Sequence, residues 1–249
     1  MITSMCRQGT RSALVLACLA ALLVPAVADA QITRVSRSDP NHTINFNLGY
    51  FLLRGVESRP DDDVLIIDLE SLAFEIDDFN GATFGGEWLY RIGDYLETGA
   101  GIGYFQGSTP SVYRDVVHDN GFEIAQELKL RMVPISGTIR FLPLGRGAAV
   151  EPYVGGGISV INWKYSEIGE FVDFSDDSIF QQRYIADGWS VGPVLLAGLR
   201  APVADLWSIG GEFRWQRAEG DTDAATSQLL GEKIDLGGWT TSVTFHFRF

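Results

Sequence analysis

The sequence predicts an all-β protein: an antiparallel, up-and-down transmembrane β-barrel of eight strands, with ten strands as the alternative. Three observations predict it. Apolar and polar residues alternate with period two over most of the chain, the pattern of strands whose two faces meet different surroundings. The apolar stripe is rich in aromatic residues, and the opposite stripe carries glycine and charges of both signs. Lipid outside and a small enclosed interior would suit those two faces. Finally, short and long connections alternate, as when tight turns lie on one side of a membrane and long loops on the other.

Residues 1–30 stand apart as a signal peptide. Arg7 and Arg11 give a positive start, Ala13 to Ala28 carries no charge, and Ala28-Asp29-Ala30 is a small-x-small cleavage site. The apolar run is shorter than the ~20 residues of a membrane-spanning helix. Both cysteines, Cys6 and Cys18, lie in this segment. The remaining domain, 31–249, is therefore expected to have no disulfide, no cysteine nucleophile and no cysteine zinc site.

The strands follow in order. In 43–53, Ile44, Phe46, Leu48, Tyr50 and Leu52 oppose Asn45, Asn47 and Gly49. In 83–92, Phe84, Trp88, Tyr90 and Ile92 oppose Glu87 and Arg91. In 95–105, Leu96, Ala100, Ile102 and Tyr104 oppose Glu97 and a row of glycines. Segment 126–142 starts with Leu128, Leu130 and Met132 against Glu127, Lys129 and Arg131; after Pro134 the apolar phase moves to Ile135, Ile139 and Phe141. A bulge at the proline would explain that slip, because proline cannot donate to the ladder. Segments 149–163, 189–200, 207–216 and 236–249 complete the eight. The turns at Gly93-Asp94, Leu144–Ala148 and Val203–Asp205 are short. The long connections are 56–81, 107–122, 166–187 and 217–236.

Trp163, Trp189, Trp207, Trp215 and Trp239 fall near strand ends. There they would form the aromatic girdle at the membrane surfaces. The polar stripe collects Glu87, Glu97, Glu127, Glu151 and Glu212 with Arg91, Lys129, Arg131, Arg140, Arg200, Arg214 and Arg248. An eight-stranded barrel is only wide enough for side chains to fill it. Charges inside must then be paired, so these residues are expected to plug the lumen, with a gated conduit as the alternative.

The net charge is −13, and most of the acid lies in the long loops. That field disfavours nucleic acid and anionic partners. Asp61-Asp62-Asp63 and the Asp173, Asp176, Asp177 group carry the oxygen ligands that divalent cations take, although no EF-hand spacing is present and a solvated acidic rim is the favoured reading. Residues 64–76, VLIIDLESLAFEI, are too apolar for a bare loop. They read either as an amphipathic helix on the rim or as an added hairpin, which would give ten strands. No motif implies a cofactor. The histidines available for catalysis are His42, His118 and His246, without a nucleophile pattern, so no enzyme is expected.

The last residues, SVTFHFRF, place Val243, Phe245, Phe247 and Phe249 on one face. This ending resembles the C-terminal signature of bacterial outer-membrane β-barrels. GGEWLYRIGDYLETGAGIGYF and EPYVGGGISV also look like the strands of the small eight-stranded group that includes the OmpA transmembrane domain, OmpX and OmpW. The resemblance implies location in the outer membrane, among lipid and lipopolysaccharide. It also implies recognition of Phe245, Phe247 and Phe249 by the barrel assembly machinery. A monomer is expected. The resemblance speaks to architecture and leaves function open between a structural or interaction barrel and a transporter of small or hydrophobic solutes.

Overall fold

The computed structural model describes residues 40–223 and 227–249. The signal peptide expected at 1–30 lies outside them. Eight strands form the wall: β1 (His42–Leu53), β2 (Gly81–Ile92), β3 (Leu96–Val117), β4 (Glu123–Phe141), β5 (Glu151–Asp173), β6 (Ser178–Pro202), β7 (Trp207–Gln216) and β8 (Gly238–Arg248). Each pairs antiparallel with the next, and β8 closes onto β1 from Thr43 opposite Arg248 to Leu53 opposite Gly238. Closure leaves no unpaired edge at the level of the apolar belt, which a sheet crossing hydrocarbon requires. Among the described residues no helix is long and apolar enough to cross a membrane.

The predicted alternation sets the two faces. Phe46, Leu48, Trp88, Ile102, Ile139, Ile158, Leu195 and Phe245 point outward and are exposed, while Thr43, Asn45, Glu87, Glu97, Thr138 and Arg200 point inward and are buried. The outward apolar belt ends at a level fixed by register. Gln106, Arg131, Lys164 and Asp187 face one another along β3–β6, and one row below them lie Val133, Asn162 and Trp189. Charged side chains thus replace uncharged ones within a single row.

Three expectations are corrected. First, β4 carries no bulge at Pro134. Its pairing with β5 runs unbroken, with Pro134 opposite Ile161. Leu128, Leu130 and Met132 are therefore buried inside, and Glu127, Lys129 and Arg131 face outward and do not belong to the lumen. The apolar phase changes because the surroundings exchange places. Within the membrane the outside is apolar, whereas above it the outside is water and the interior is apolar. Second, most of 107–122 and 166–187 is strand. β3–β6 are 22, 19, 23 and 25 residues long, against 12, 12, 10 and 11 for β1, β2, β7 and β8. β5 and β6 stay paired up to Asp173 opposite Ser178, so half the wall rises beyond the belt. Third, Trp163 is buried inside and leaves the girdle, whereas Trp189, Trp207 and Trp239 are exposed on the outer face and Trp215 packs beside Trp239 at 6.3 Å.

Residues 64–76 add no strand to the ring. They form helix α1 (Val64–Ser71) and a two-residue strand, Leu72–Ala73, which hydrogen-bonds to β3 at Tyr113 and Val112. Asp63 caps the helix by accepting from the Leu65 amide at 2.9 Å. α1 does not lie amphipathic on the rim. Val64 and Leu65 are fully buried, and the helix closes the mouth.

Candidate functional site: an interior filled in two layers

The lower layer occupies the half of the barrel near the short turns. Arg200 binds Glu97 through two nitrogens, at 2.8 and 3.0 Å, and Glu151 through Nε at 2.8 Å. Arg248 adds a contact to Glu151 at 3.1 Å. Arg140 pairs with Glu87 and, at 2.9 Å, with Glu212. Arg214 reaches Glu212 at 3.0 Å and Glu87 at 3.8 Å. The Tyr153 hydroxyl donates to Glu212 at 3.1 Å, and its ring lies under the Arg140 guanidinium at 4.8 Å. Gly99 leaves the room this needs: a Cβ there would meet Glu87 Oε1 at 2.6 Å and Thr138 Oγ1 at 2.9 Å.

Of the charges expected inside, Glu87, Glu97, Arg140, Glu151, Arg200, Glu212, Arg214 and Arg248 come together. Arg91 bonds at the β2–β3 turn, to Gly93 O at 2.7 Å and to Asp94. Glu127, Lys129 and Arg131 are outside. The sequence reading missed Arg146, which enters from the β4–β5 turn and binds Glu97 at 2.5 Å. Its signal was a lone arginine inside a glycine-rich turn, LGRG, which the period-two pattern does not reach.

The upper layer is apolar. Val64, Leu65, Leu72, Phe74 and Phe79 of the first long loop, with Leu229, Ile234 and Leu236 of the last, pack against Phe51, Phe105, Leu130, Met132, Trp163 and Tyr165 of the wall. A Cβ on Gly107 would collide with the Phe79 carbonyl, so a glycine lets the loop lie against β3. A polar knot ties the two loops together. Arg59 and Asp63, both buried, pair at 3.0 Å; Asp63 accepts from the Asp235 amide at 2.6 Å, and Arg54 pairs with Asp235 at 2.5 Å. Burial raises the Asp63 carboxyl, and Arg59 opposes the shift. Deeper in the mouth, Tyr165 donates to Asp68 at 2.9 Å. Burial lifts Asp68 to about 7 against its contacts with Tyr165 and Glu167, and burial, with Asp68 adding to it, lifts Glu167 to about 9.

Between the layers lies a cavity of about 60 Å³, with Asn47, Ser136, Glu212 and Arg214 toward one end and Phe51 and Met132 toward the other. That is room for a few waters, since one needs roughly 10–15 Å³.

The acidic loop residues are engaged structurally. Asp62 binds Lys233 at 3.0 Å, and Asp173 accepts from the Ser175 hydroxyl at 2.6 Å. Among the described residues no group of three or more metal-ligating side chains converges. His42 stacks with Trp88 and Phe249, His118 contacts Glu170 at 2.9 Å, and His246 is buried beside Thr244. Among the described residues none of the three bonds a serine hydroxyl.

No family model matches the chain, and curated protein sequences yield no match either. Solved structures similar to it include the N-terminal β-barrel domain of Pseudomonas aeruginosa OprF. The identity is 15%, coverage 85% of this chain and 99% of that one, and the TM-score 0.38. Neisserial surface protein A is 12% identical, with coverage of 84% and 96% and a TM-score of 0.46. OprG from Pseudomonas aeruginosa is 11% identical, with coverage of 85% and 97% and a TM-score of 0.43.

Proposed function

We propose that the chain is an integral outer-membrane barrel serving a structural or interaction role, with a charge-filled lumen and an acidic outer surface. It catalyses no reaction in this reading. The observation that carries it is the double filling of the interior. A charged layer and an apolar layer lie in series, and either alone would stop solute flow. Purified protein in planar bilayers should therefore conduct little. Steady, ion-selective conductance in the wild type would overturn the reading.

One observation favours a second reading, a transporter for small or hydrophobic solutes: the cavity between the layers. In that case deletion of the first long loop should produce conductance while leaving the barrel folded.

Two partners belong to this proposal. Lys129, Arg131 and Lys164 sit on the outer wall at or just above the row where the belt ends, at the level of lipid phosphates. They would contact lipopolysaccharide, with divalent cations bridging the acidic loops. The terminal aromatics Phe245, Phe247 and Phe249 would engage the assembly machinery. Deleting Phe249 should lower the yield of assembled barrel far more than its stability. Wild-type yield and heat-modifiable mobility in the truncated protein would remove that role.

A further inference from the structure

We propose that Asp68 and Glu167 hold one proton between them across the contact of α1 with the barrel wall, and that this proton latches the mouth shut. The idea concerns how the upper layer is held and goes beyond the reading of the barrel as a closed module. Asp68 projects from α1 onto Tyr165 of β5, whose hydroxyl donates to it. Glu167 is the next residue on that face of β5, roughly 7 Å further along the strand. Its carboxyl is buried, as that of Asp68 is, and the two lie close enough to act on each other. Ionised carboxylates only accept hydrogen bonds, so two carboxyls in such contact need a proton between them.

The surroundings offer no substitute for that proton. Asp68 is 3% exposed and Glu167 7%, and Glu167 Oε1 has no hydrogen-bond partner. Facing them are Asp63 on the α1 side, already paired with Arg59, Tyr165 on β5, Tyr113 on β3 and Tyr184 on β6. Among the described residues no arginine, lysine or histidine makes an ion pair with either carboxyl. Hydroxide that removes the shared proton leaves two adjacent carboxylates in a dry site, where like charges repel and need water. The wall strand is hydrogen-bonded on both sides and cannot yield. The eight-residue helix can, by moving outward and admitting water.

The sign follows from the direction of the shifts. Both carboxyls titrate above their ordinary range, so the latched form binds more protons than the released form. Latching is strongest below the ordinary carboxyl range of about 4 and weakens as pH rises from there, through about 7 for Asp68 and about 9 for Glu167. In that window the ratio of latched to released protein falls about tenfold per pH unit for each proton lost.

Trp163 reports on the mouth because it packs in the same apolar cluster as Leu65 of α1. The full chain is refolded into lipid vesicles, and acrylamide quenching is followed from mild acid to just below the tyrosine range of about 10. The Trp163 contribution is isolated by difference from Trp163→Phe. In the wild type, quenching should rise steeply across the window. In the double variant Asp68→Asn, Glu167→Gln, which keeps shape and hydrogen bonding without charge, it should stay at the acid level throughout. A flat wild-type profile, or the same rise in the double variant, overturns the latch. If the double variant fails to fold, Glu167→Gln alone decides, because its amide can donate to an ionised Asp68. Its quenching should then stay low, and an unchanged rise overturns the proposal.

Discussion

The two halves of the interior are closed by opposite means. The lower half is filled by charge: four glutamates, Glu87, Glu97, Glu151 and Glu212, are held by Arg140, Arg146, Arg200, Arg214 and Arg248. All but Arg146 are wall residues, fixed to neighbouring strands by the ladder. The upper half is filled by apolar side chains that loops bring in from outside the ring. The first kind of filling can be built only where every charge finds a partner, since an unpaired buried charge is far more costly than the pair is favourable. The second needs only volume and shape. A closed ring can therefore carry a rigid lower seal in its own wall, while its upper seal remains a separate piece that could move.

The comparison can be tested from the lower layer upward. Arg200→Ala leaves Glu97 with Arg146 alone and Glu151 with Arg248 alone, both still buried, so refolding stability should drop by up to about 3–5 kcal/mol. A loss below 1 kcal/mol would mean that the lower layer is wet. Leu65→Ala empties part of the upper layer and should cost about 2–5 kcal/mol locally. That loss should appear as faster amide exchange in the first long loop, with the barrel strands unaffected; a purely global effect would show that the mouth and wall unfold as one unit.

Leu195→Arg puts a charge on the lipid face, where Leu195 is 56% exposed, and should cost about 2–4 kcal/mol near the bilayer midplane. Leu196, 4% exposed, points into the barrel, and the same change there should fail by overfilling and should not depend on bilayer thickness. Equal responses at both sites in vesicles of different thickness would contradict the register. The smallest effect belongs to Lys129→Ala. Lys129 and Glu127 pair at 3.4 Å with side chains 35% and 52% exposed, so the change should cost about 0–1 kcal/mol. A loss like that at Arg200 would put Lys129 back in the lumen, where alternation alone had placed it.

That last case shows how far the pattern reaches. Period-two alternation locates β1, β2, β7 and β8 nearly to the residue and orients the belt, because a strand crossing lipid has one environment per face along its whole length. It also collects most of the lower network, whose members sit at regular inward positions. It fails on β4, where Leu128 and Leu130 face inward and Lys129 and Arg131 outward. There the chain leaves the bilayer, and the meaning of each face reverses without any break in the ladder. The same reversal hides Trp163 in the interior and conceals the upper parts of β3–β6 within what look like acidic loops.

The sequence by itself determined an aromatic-belted antiparallel barrel with paired charges on its inner face, since both follow from neighbours two residues apart on one strand. Only the tertiary structure decided that α1 sits in the mouth, that Arg146 rises from a turn to bind Glu97, and that Asp68 meets Glu167. Each of these joins a loop to a distant strand, and such contacts are chosen by the space the closed ring leaves. No periodicity records that space.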